Sequence, residues 1–250
     1  MKYMALIPAR YASTRFPGKP LAMLGDKPVI QWVYERAAEV FDTVAVATDD
    51  VRIAQAVGGF GGRAIMTSPS HRSGTDRVRE AYLLSGEQAD VIVNIQGDEP
   101  FVAPSQLRSL AECFEHPDTD IATLVRPFEG SYDELADPNK VKVVRATDGT
   151  ALYFSRSVIP YCRGVDPELW PASHQYYIHI GLYGYRTEAL EAVAAMPPSP
   201  LETAESLEQL RWLQNGLRIR TATTDVQTVG IDTPADLEEA RRILLSQTHE

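Results

Sequence analysis

The 250-residue chain lacks several features that mark other classes of protein. It has two cysteines, Cys113 and Cys162, too few for a disulfide framework, and no CxxC pair that would suggest a structural metal. No apolar run approaches the roughly 20 residues of a membrane-spanning helix. The N-terminus has no signal-peptide pattern and leads directly into a predicted strand. These absences favour two free thiols in a cytoplasmic protein.

The chain also lacks an excess of positive charge. Its 24 Lys and Arg are outnumbered by 34 Asp and Glu, so the net charge is −10. Binding along a nucleic-acid backbone needs a cationic face, and this balance therefore argues against a nucleic-acid partner. A small anionic ligand needs only a local cluster of Lys and Arg, and the composition allows one.

Three common catalytic patterns are missing as well. Gly18-Lys19 lacks the glycine five residues earlier that a Walker A motif requires, and Pro20 follows it. The glycine cluster at 58–62 follows a predicted helix instead of a strand, which disfavours a dinucleotide-binding enzyme. No Ser/His/Asp or Cys/His arrangement has local support, so covalent catalysis is not expected.

What the sequence does contain, in its first half, is an alternation of short apolar runs and amphipathic stretches. This alternation predicts strand–helix units and a mostly parallel, Rossmann-like α/β sheet flanked by helices. The predicted strands are 3–9, 43–47, 64–66 and 90–95. One predicted helix begins at Pro28, and two others span 50–57 and 74–84.

The pattern changes between about 120 and 185, where alternating runs predict a smaller antiparallel insertion within one domain spanning 1–250. Residues 141–144 and 151–154 flank Asp148-Gly149, a hairpin turn pair, and 176–185 is an aromatic-rich predicted strand. Such an insertion often covers an active site or forms a subunit interface. Helices are predicted again at 201–215 and 234–246, with a strand near 217–223.

A cationic loop follows the first predicted strand. Arg10, Arg15 and Lys19 lie there, where open α/β sheets bind ligands beyond the carboxyl ends of their strands. Arginine suits phosphate oxygens, lysine supplies a mobile charge, and backbone amides around Ser13 could complete an anion cradle. From composition alone, a solvated basic loop is an equal alternative.

Two aspartates have both a functional and a structural interpretation. The segment Gln96–Pro100 directly follows the buried strand 90–95, which puts the Asp98 carboxylate at the same edge as the cationic loop. Mg²⁺ takes one or two carboxylates plus phosphate and water, so Asp98 is a candidate ligand; a cap for the helix near Pro104 is the alternative. Asp232 precedes Pro234, a common helix N-cap arrangement.

Motifs along the whole chain resemble one family. The opening segment 7–21, Ile-Pro-Ala-Arg-Tyr-Ala-Ser-Thr-Arg-Phe-Pro-Gly-Lys-Pro-Leu, closely resembles the start of the 3-deoxy-manno-octulosonate (Kdo) cytidylyltransferases, the CMP-Kdo synthetases. The resemblance continues, in order, through 47–49, 73–77, 93–100, 153–156, 179–186, 199–202, 207–211 and 230–234. It implies a transferase that uses CTP and Mg²⁺, with two ions expected, to activate Kdo for lipopolysaccharide core synthesis, usually as a homodimer.

The resemblance implies roles for the residues at the nucleotide. It makes Lys19, Arg10 and Asp98 catalytic and places Mg²⁺ on Asp98 and Asp232. The implied reaction is an in-line displacement in which the anomeric hydroxyl attacks the α-phosphorus and pyrophosphate leaves. The implied nucleotide-binding residues are Pro8, Ala9, Arg10, Ser13, Arg15, Lys19, Ser73, Thr75, Arg77 and Gln96.

The resemblance also implies a sugar-binding set, for which ordinary explanations exist. His179, in an aromatic strand, fits a structural histidine, and Tyr183 fits a core aromatic. Glu202, Glu205 and Gln209 recur on one face of the predicted helix 201–215, and such a face is usually solvated. The implied sugar-binding residues are Gln96, Arg156, His179, Tyr183, Glu205 and Gln209.

Other functions predict different residues at some of these positions. A CMP-sialate synthetase usually has Gly-Gly-Ser-Lys in the opening loop where this chain has Tyr-Ala-Ser-Thr. A non-catalytic nucleotide-binding protein would be expected to lack Asp98, Asp232 or Lys19, and all three are present. An enzyme specific for an amino-substituted Kdo is a further alternative that the sequence leaves open.

Overall fold

The computed structural model describes residues 1–71, 73–227 and 229–247. The chain forms two compact units, which we call unit 1 (Met1–Leu107 with Gln227–Glu250) and unit 2 (Arg108–Val226). Within the described residues, none of the helices is long and apolar enough to cross a bilayer.

The strands and helices alternate through most of the chain. The strands are β1 (Tyr3–Ala9), β2 (Met23–Leu24), β3 (Lys27–Pro28), β4 (Val44–Thr48), β5 (Ala64–Met66), β6 (Val91–Asn94), β7 (Ile121–Pro127), β8 (Lys142–Arg145), β9 (Ala151–Ser155), β10 (Tyr177–Arg186) and β11 (Ile219–Thr223). The helices are α1 (Val29–Ala38), α2 (Val51–Gly59), α3 (Gly74–Ser85), α4 (Pro104–Glu112), α5 (Tyr132–Ala136), α6 (Trp170–Ser173), α7 (Thr187–Ala195), α8 (Pro200–Glu205), α9 (Gln209–Gln214) and α10 (Pro234–Gln247).

Unit 1 contains a parallel sheet in the order β6-β1-β4-β5. Every residue of β4 and β6 is buried, as expected for strands covered on both faces. Helix α1 buries Val29, Ile30 and Val33, which recur at helical spacing on one face. The predicted Rossmann-like α/β fold with helices around a mostly parallel sheet is confirmed.

Unit 2 is mainly antiparallel. Strand β7 pairs with β10 antiparallel and with β11 parallel, and β8 and β9 form the predicted hairpin, with β8 joined to β10. Gly149 in the hairpin turn has φ +84°, a conformation that favours glycine. The predicted insertion at 120–185 lies inside this unit, which spans Arg108–Val226 and includes β11 through its pairing with β7.

One predicted helix is wrong. Residues 201–215 form two short helices, α8 and α9, instead of one. Ser206 lies between them in the left-handed conformation (φ 51°), and its N–H donates to the Glu202 carbonyl, which ends α8. The spacing that put Glu205 and Gln209 on one helical face was counted through this break, so the two residues do not share a helix.

Candidate active site

A pocket of about 460 Å³ lies in unit 1, beyond the carboxyl ends of β1 and β6. This is the position at which open α/β sheets bind ligands. Most of the residues predicted to bind the nucleotide or the metal line this pocket: Pro8, Ala9, Arg10, Ser13, Arg15, Lys19, Gln96, Asp98 and Asp232. The lining is completed by Ala12, Thr14, Pro20, Gly74 and Gly97.

The cationic loop is closed by its own backbone. The Gly18 N–H donates to the Tyr11 carbonyl at 2.8 Å, and Gly18 has φ +73°, which favours glycine. The Phe16 N–H donates to Ser13 Oγ at 3.3 Å. Lys19 follows the turn and begins a short 3-10 helix. The loop therefore returns to the sheet edge and delivers the Lys19 side chain to the pocket.

Lys19 lies between the two predicted metal ligands. Its Nζ is 2.5 Å from Asp98 Oδ2 and 3.1 Å from Asp232 Oδ1, and the side chain is only 13% exposed. Arg15 Nη2 lies 3.1 Å from Asp232 Oδ2. Three segments far apart in the sequence thus bring two carboxylates and two cations to one point.

Close backbone contacts hold these segments together. The Ile231 N–H donates to the Asp98 carbonyl at 2.9 Å, which joins the Asp232 segment to the Asp98 segment. A Cβ on Gly97 would lie 2.8 Å from the Pro8 carbonyl oxygen, too close for any other residue without displacement of the backbone. Gly97 therefore allows the Asp98 segment to approach the end of β1.

Helix capping does not account for Asp98 or Asp232. Thr233 Oγ1 accepts the Asp236 N–H at 3.3 Å, and Asp236 Oδ2 accepts the N–H groups of Asp232 and Thr233 at 2.9 and 2.8 Å. Thr233 and Asp236 therefore cap α10. Near the start of α4, the Ala103 N–H donates to Gln106 Oε1. Both aspartate carboxylates are thus available to the pocket.

The donor set of the pocket suits a hard divalent cation. Two carboxylates from separate segments converge on one position, at which a positive charge, the Lys19 ammonium, already lies. Mg²⁺ is commonly bound by one or two carboxylates, with phosphate and water completing its shell. Among the described residues there is no cluster of three or more His, Cys, Asp or Glu that could hold a metal ion. The protein would therefore supply Asp98 and Asp232, and Mg²⁺ fits this set.

Glu99, which the sequence predictions did not include, lies beside Asp98 but outside the described lining of the pocket. Burial raises its pKa to about 7, and the neighbouring charge of Asp98 adds to the increase. A carboxyl group with such a pKa is part protonated near neutral pH. Its position beside Asp98, in the Gln-Gly-Asp-Glu-Pro segment, was the signal that could have drawn attention to it.

Ser73, Thr75 and Arg77 do not line the pocket, although Gly74 does. Ser73 caps α3 by accepting the Asp76 N–H at 3.0 Å, and Thr75 is buried. Arg77 is 0% exposed; its Nη1 donates to Thr67 Oγ1 at 2.6 Å and its Nη2 lies 3.3 Å from Asp49. The guanidinium is therefore enclosed beside Thr67 and Asp49, with its Nε and Nη2 lacking a hydrogen-bond partner among the described residues, and nucleotide contact by Arg77 stays a prediction.

Within unit 2, Arg156 and Glu205 are bonded to each other. Arg156 Nε donates to the Glu205 carbonyl at 2.6 Å, and the Arg156 N–H donates to Glu205 Oε2 at 2.8 Å. Ser155 Oγ donates to Glu205 Oε1, and Arg156 Nη1 donates to the Pro138 carbonyl. The pair therefore ties β9 to the end of α8, whatever else it binds.

His179 and Tyr183 belong to an aromatic cluster in unit 2. The His179 ring lies 5.2 Å from Phe154 and 5.3 Å from Tyr183, and its Nε2 lies 3.0 Å from Thr123 Oγ1. Burial lowers the pKa of His179 to about 4, so the ring is neutral at neutral pH. Tyr183 is 8% exposed, packs edge-on against Trp212 and has its pKa raised by burial. Both rings are therefore held mainly by contacts within unit 2.

Comparison with known sequences identifies a family for this chain. A sequence model described as cytidylyltransferase matches residues 4–219. The 3-deoxy-manno-octulosonate cytidylyltransferase of Bacteroides thetaiotaomicron is 56% identical, over 99% of this chain and 100% of that protein. The protein of the same name from Parabacteroides distasonis is 55% identical, with the same coverage.

A solved structure agrees with these sequences. The structure of a CMP:2-keto-3-deoxy-manno-octonic acid synthetase complexed with CTP superimposes with a TM-score of 0.90 at 44% identity, covering 99% of this chain and 100% of that one. The resemblance first noted in the ordered motifs is thereby confirmed. The chain belongs to the cytidylyltransferase family and, within it, to the 3-deoxy-manno-octulosonate cytidylyltransferases.

Proposed function

We propose that this chain transfers CMP from CTP to the anomeric hydroxyl of Kdo, forming CMP-Kdo and releasing pyrophosphate. The observation that carries the proposal is the convergence of Lys19, Asp98 and Asp232 in a pocket whose rim is cationic. The relatives of the same name and the relative that binds CTP support this choice of substrates.

The loop residues bind and neutralise the triphosphate. Arg10 and Arg15 line the pocket and can each present a planar pair of donors to phosphate oxygens. Lys19 provides a compact positive charge close to both carboxylates. There its ammonium can stabilise the negative charge that develops on the leaving pyrophosphate. Backbone amides around Ser13 add donors that need no reorganisation during the reaction.

We also propose that Asp98 and Asp232 hold Mg²⁺. When bound, the ion neutralises phosphate charge and lowers the pKa of the attacking hydroxyl. The two carboxylates come from segments joined by the Ile231–Asp98 hydrogen bond, so the backbone holds the two segments beside each other. The described lining of the pocket contains no histidine that could act as a general base.

The sugar-binding assignments stay predictions. We propose that Gln96, Arg156, His179, Tyr183, Glu205 and Gln209 contribute to Kdo recognition. The neutral His179 can exchange hydrogen bonds with hydroxyl groups without adding a charge. An enzyme of this kind would supply lipopolysaccharide synthesis in the cytoplasm, and we propose that it acts as a homodimer, which analytical ultracentrifugation can test.

Pyrophosphate release tests the function directly. The purified protein is assayed with each of the four nucleoside triphosphates against Kdo, an amino-substituted Kdo and sialate, with Mg²⁺ or with EDTA. We expect release with CTP and Kdo only when Mg²⁺ is present. Release with sialate alone would favour the sialate reaction, and no release with any sugar would overturn the proposed function.

The aspartate assignment has its own test. We expect Asp98→Ala to reduce kcat by at least about 10³-fold, because the site loses a proposed metal ligand. Circular dichroism and thermal melting should show that the variant remains folded. Glu35→Gln, which removes a carboxylate paired with Lys27 elsewhere in unit 1, serves as a control and should keep normal kcat. Normal turnover by Asp98→Ala would remove Asp98 from the proposed metal site.

A further inference from the structure

Tyr11 lies in the middle of the cationic loop but is not among the described residues that line the pocket, although Arg10 and Ala12 are. Its carbonyl accepts the Gly18 N–H and so closes the loop. Its ring lies over Gly18, where an added Cβ would come within 3.1 Å of the ring carbons Cε2 and Cζ. The ring thus covers the turn that immediately precedes Lys19.

The guanidinium of Arg52 lies over the Tyr11 ring. Arg52 Cζ lies 3.3 Å from the centroid of the Tyr11 ring, the distance of a stacked cation–π contact. Arg52 belongs to the first turn of α2, which follows β4. The contact therefore ties the middle of the cationic loop to a helix that begins beside the sheet edge.

Asp50 fixes the orientation of Arg52. Its Oδ1 lies 2.9 Å from Arg52 Nε and its Oδ2 lies 2.6 Å from Arg52 Nη2, so the pairing is bidentate. Oδ1 also accepts the Arg52 N–H at 2.9 Å as the N-cap of α2, and the Asp50 N–H donates to Thr48 Oγ1 at the end of β4. The hydrogen bonds from Arg52 lower the pKa of Asp50 to about 2, so the carboxylate is charged at any physiological pH.

We propose that Arg52 is a positioning residue that acts through Tyr11 to hold the 10–19 loop in the conformation that receives the triphosphate. The inference rests on the proposed function, since it concerns how the same pocket binds CTP. Arg52 does not line the pocket, so its effect passes through the residues that do: Arg10, Arg15 and Lys19. A loop held in its binding conformation loses less conformational entropy when the nucleotide binds.

The stacking geometry explains why arginine suits this position. The planar guanidinium can lie flat on the Tyr11 ring while its edge donates to Asp50. A lysine could keep the charge above the ring but could not form the bidentate pair. The helix cap survives either substitution, because the backbone N–H of residue 52 reaches Asp50 independently of the side chain.

Kinetics of three variants test the proposal. We expect Arg52→Ala to raise the KM for CTP about tenfold and to leave the KM for Kdo within about twofold of the wild type. Arg52→Lys should recover part of the loss, to about threefold. Tyr11→Leu removes the stacking contact and also the ring that covers Gly18, so it should raise the KM for CTP at least as much as Arg52→Ala. The double variant should be no worse than Tyr11→Leu, because the stacking contact is already absent there.

Arg63→Ala is the matched control. Arg63 also lies in unit 1, but its guanidinium donates to the exposed carboxylate of Glu87 at 2.6 Å and to the Ser85 carbonyl at 2.7 Å, instead of to residues of the 10–19 loop. It should leave the KM for CTP unchanged. Effects of Arg52→Ala and Tyr11→Leu that multiply in the double variant, or an unchanged KM in Arg52→Ala, would overturn the positioning role.

Hydrogen exchange separates this proposal from the proposed function. Without nucleotide, the amides of residues 10–19 should exchange faster in Arg52→Ala than in the wild type or in Arg63→Ala, while β1 and β4 stay protected. Equal exchange in all three proteins contradicts the positioning role even if the enzyme is active. An inactive wild type contradicts the proposed function, and faster loop exchange in Arg52→Ala would still support the contact.

Discussion

At the residue scale, the centre of the site is a cluster of two carboxylates and two cations whose opposite charges stabilise one another. Asp98 and Asp232 would repel each other across the pocket without a positive charge between them. Lys19 supplies that charge from a side chain that is largely withdrawn from water, and Arg15 supplies a second cation at Asp232. The same cations are those that we propose to bind the triphosphate.

Replacement of Lys19 tests this arrangement. Lys19→Met should lower kcat by about 10²- to 10³-fold, the usual effect of removing a group that stabilises transition-state charge. Lys27→Met is a matched control, because Lys27 also pairs with a carboxylate, Glu35 at 2.8 Å, in the same unit. Steady-state rates at saturating CTP and Kdo provide the measurement. A Lys19→Met enzyme with the kcat of the control would exclude a catalytic role for the ammonium.

His179 predicts how stability depends on pH. Its pKa is about 4 in the folded protein, below the usual value near 6.5, so between these values the unfolded chain binds more protons. The His179 contribution to stability is therefore present above about pH 6.5 and is lost as pH falls toward 4. We expect about 2 kcal/mol, after allowance for partial exposure of the ring.

Chemical denaturation at pH 7.0 and at pH 4.5 measures this contribution. His179→Gln should show a smaller decrease in the free energy of unfolding between the two values than the wild type does. An identical decrease in both proteins would show that other groups account for the pH dependence.

At the element scale, the short segments at strand and helix ends decide which side chains are available. The capping of α10 by Thr233 and Asp236 leaves the Asp232 carboxylate to Lys19 and Arg15. The break at Ser206 separates Glu205, which bonds to β9, from Gln209 in the next helix. The position at which a helix ends thus decides which neighbouring groups each polar side chain can reach.

The two aspartates near α10 should separate stability from activity. Asp236→Ala should lower the free energy of unfolding by about 1 kcal/mol, because two backbone N–H groups lose their acceptor, and should leave kcat nearly unchanged. Asp232→Ala should do the reverse, with kcat reduced by about 10²-fold or more and the helix cap retained. Urea denaturation and steady-state kinetics on both variants provide the comparison. The opposite pattern would assign Asp232 to the cap.

At the scale of the whole molecule, the pocket is a cationic spot on an acidic protein. The net charge is −10, yet Arg10, Arg15 and Lys19 all line the same pocket. A triphosphate approaching the protein therefore meets overall repulsion and local attraction, and the local attraction decides binding because it acts at short range. Unit 1 by itself contains this entire set of residues.

Ionic strength should therefore affect CTP binding more than turnover. An increase from about 0.05 M to about 0.5 M salt should raise the KM for CTP about three- to tenfold, because salt ions weaken the attraction of solvent-exposed cations of the pocket, such as Arg15, for the triphosphate. The kcat at saturating CTP should change little. Initial rates at several salt concentrations, with free Mg²⁺ held constant, test this. A KM that does not respond to salt would argue against charge attraction as the main source of CTP affinity.

Much of the architecture followed from local patterns in the sequence. The buried runs of β1, β4 and β6 and the hairpin around Gly149 were predicted to within a residue or two, because burial and turn conformation depend on neighbouring residues. The ordered motifs identified the family. The cationic loop and Asp98 could be placed at one sheet edge because parallel strands end together there.

Only the tertiary structure decided which side chains meet. Lys19 and Asp232 are 213 positions apart in the sequence, and their contact depends on how α10 is joined to the Asp98 segment. The enclosure of Arg77, the stacking of Arg52 on Tyr11 and the break at Ser206 likewise arise from packing between segments. Periodicity and motif spacing reflect the local conformation and burial of a segment. Contacts between distant segments depend on how those segments pack in the folded protein, and no local pattern in either segment indicates its partner.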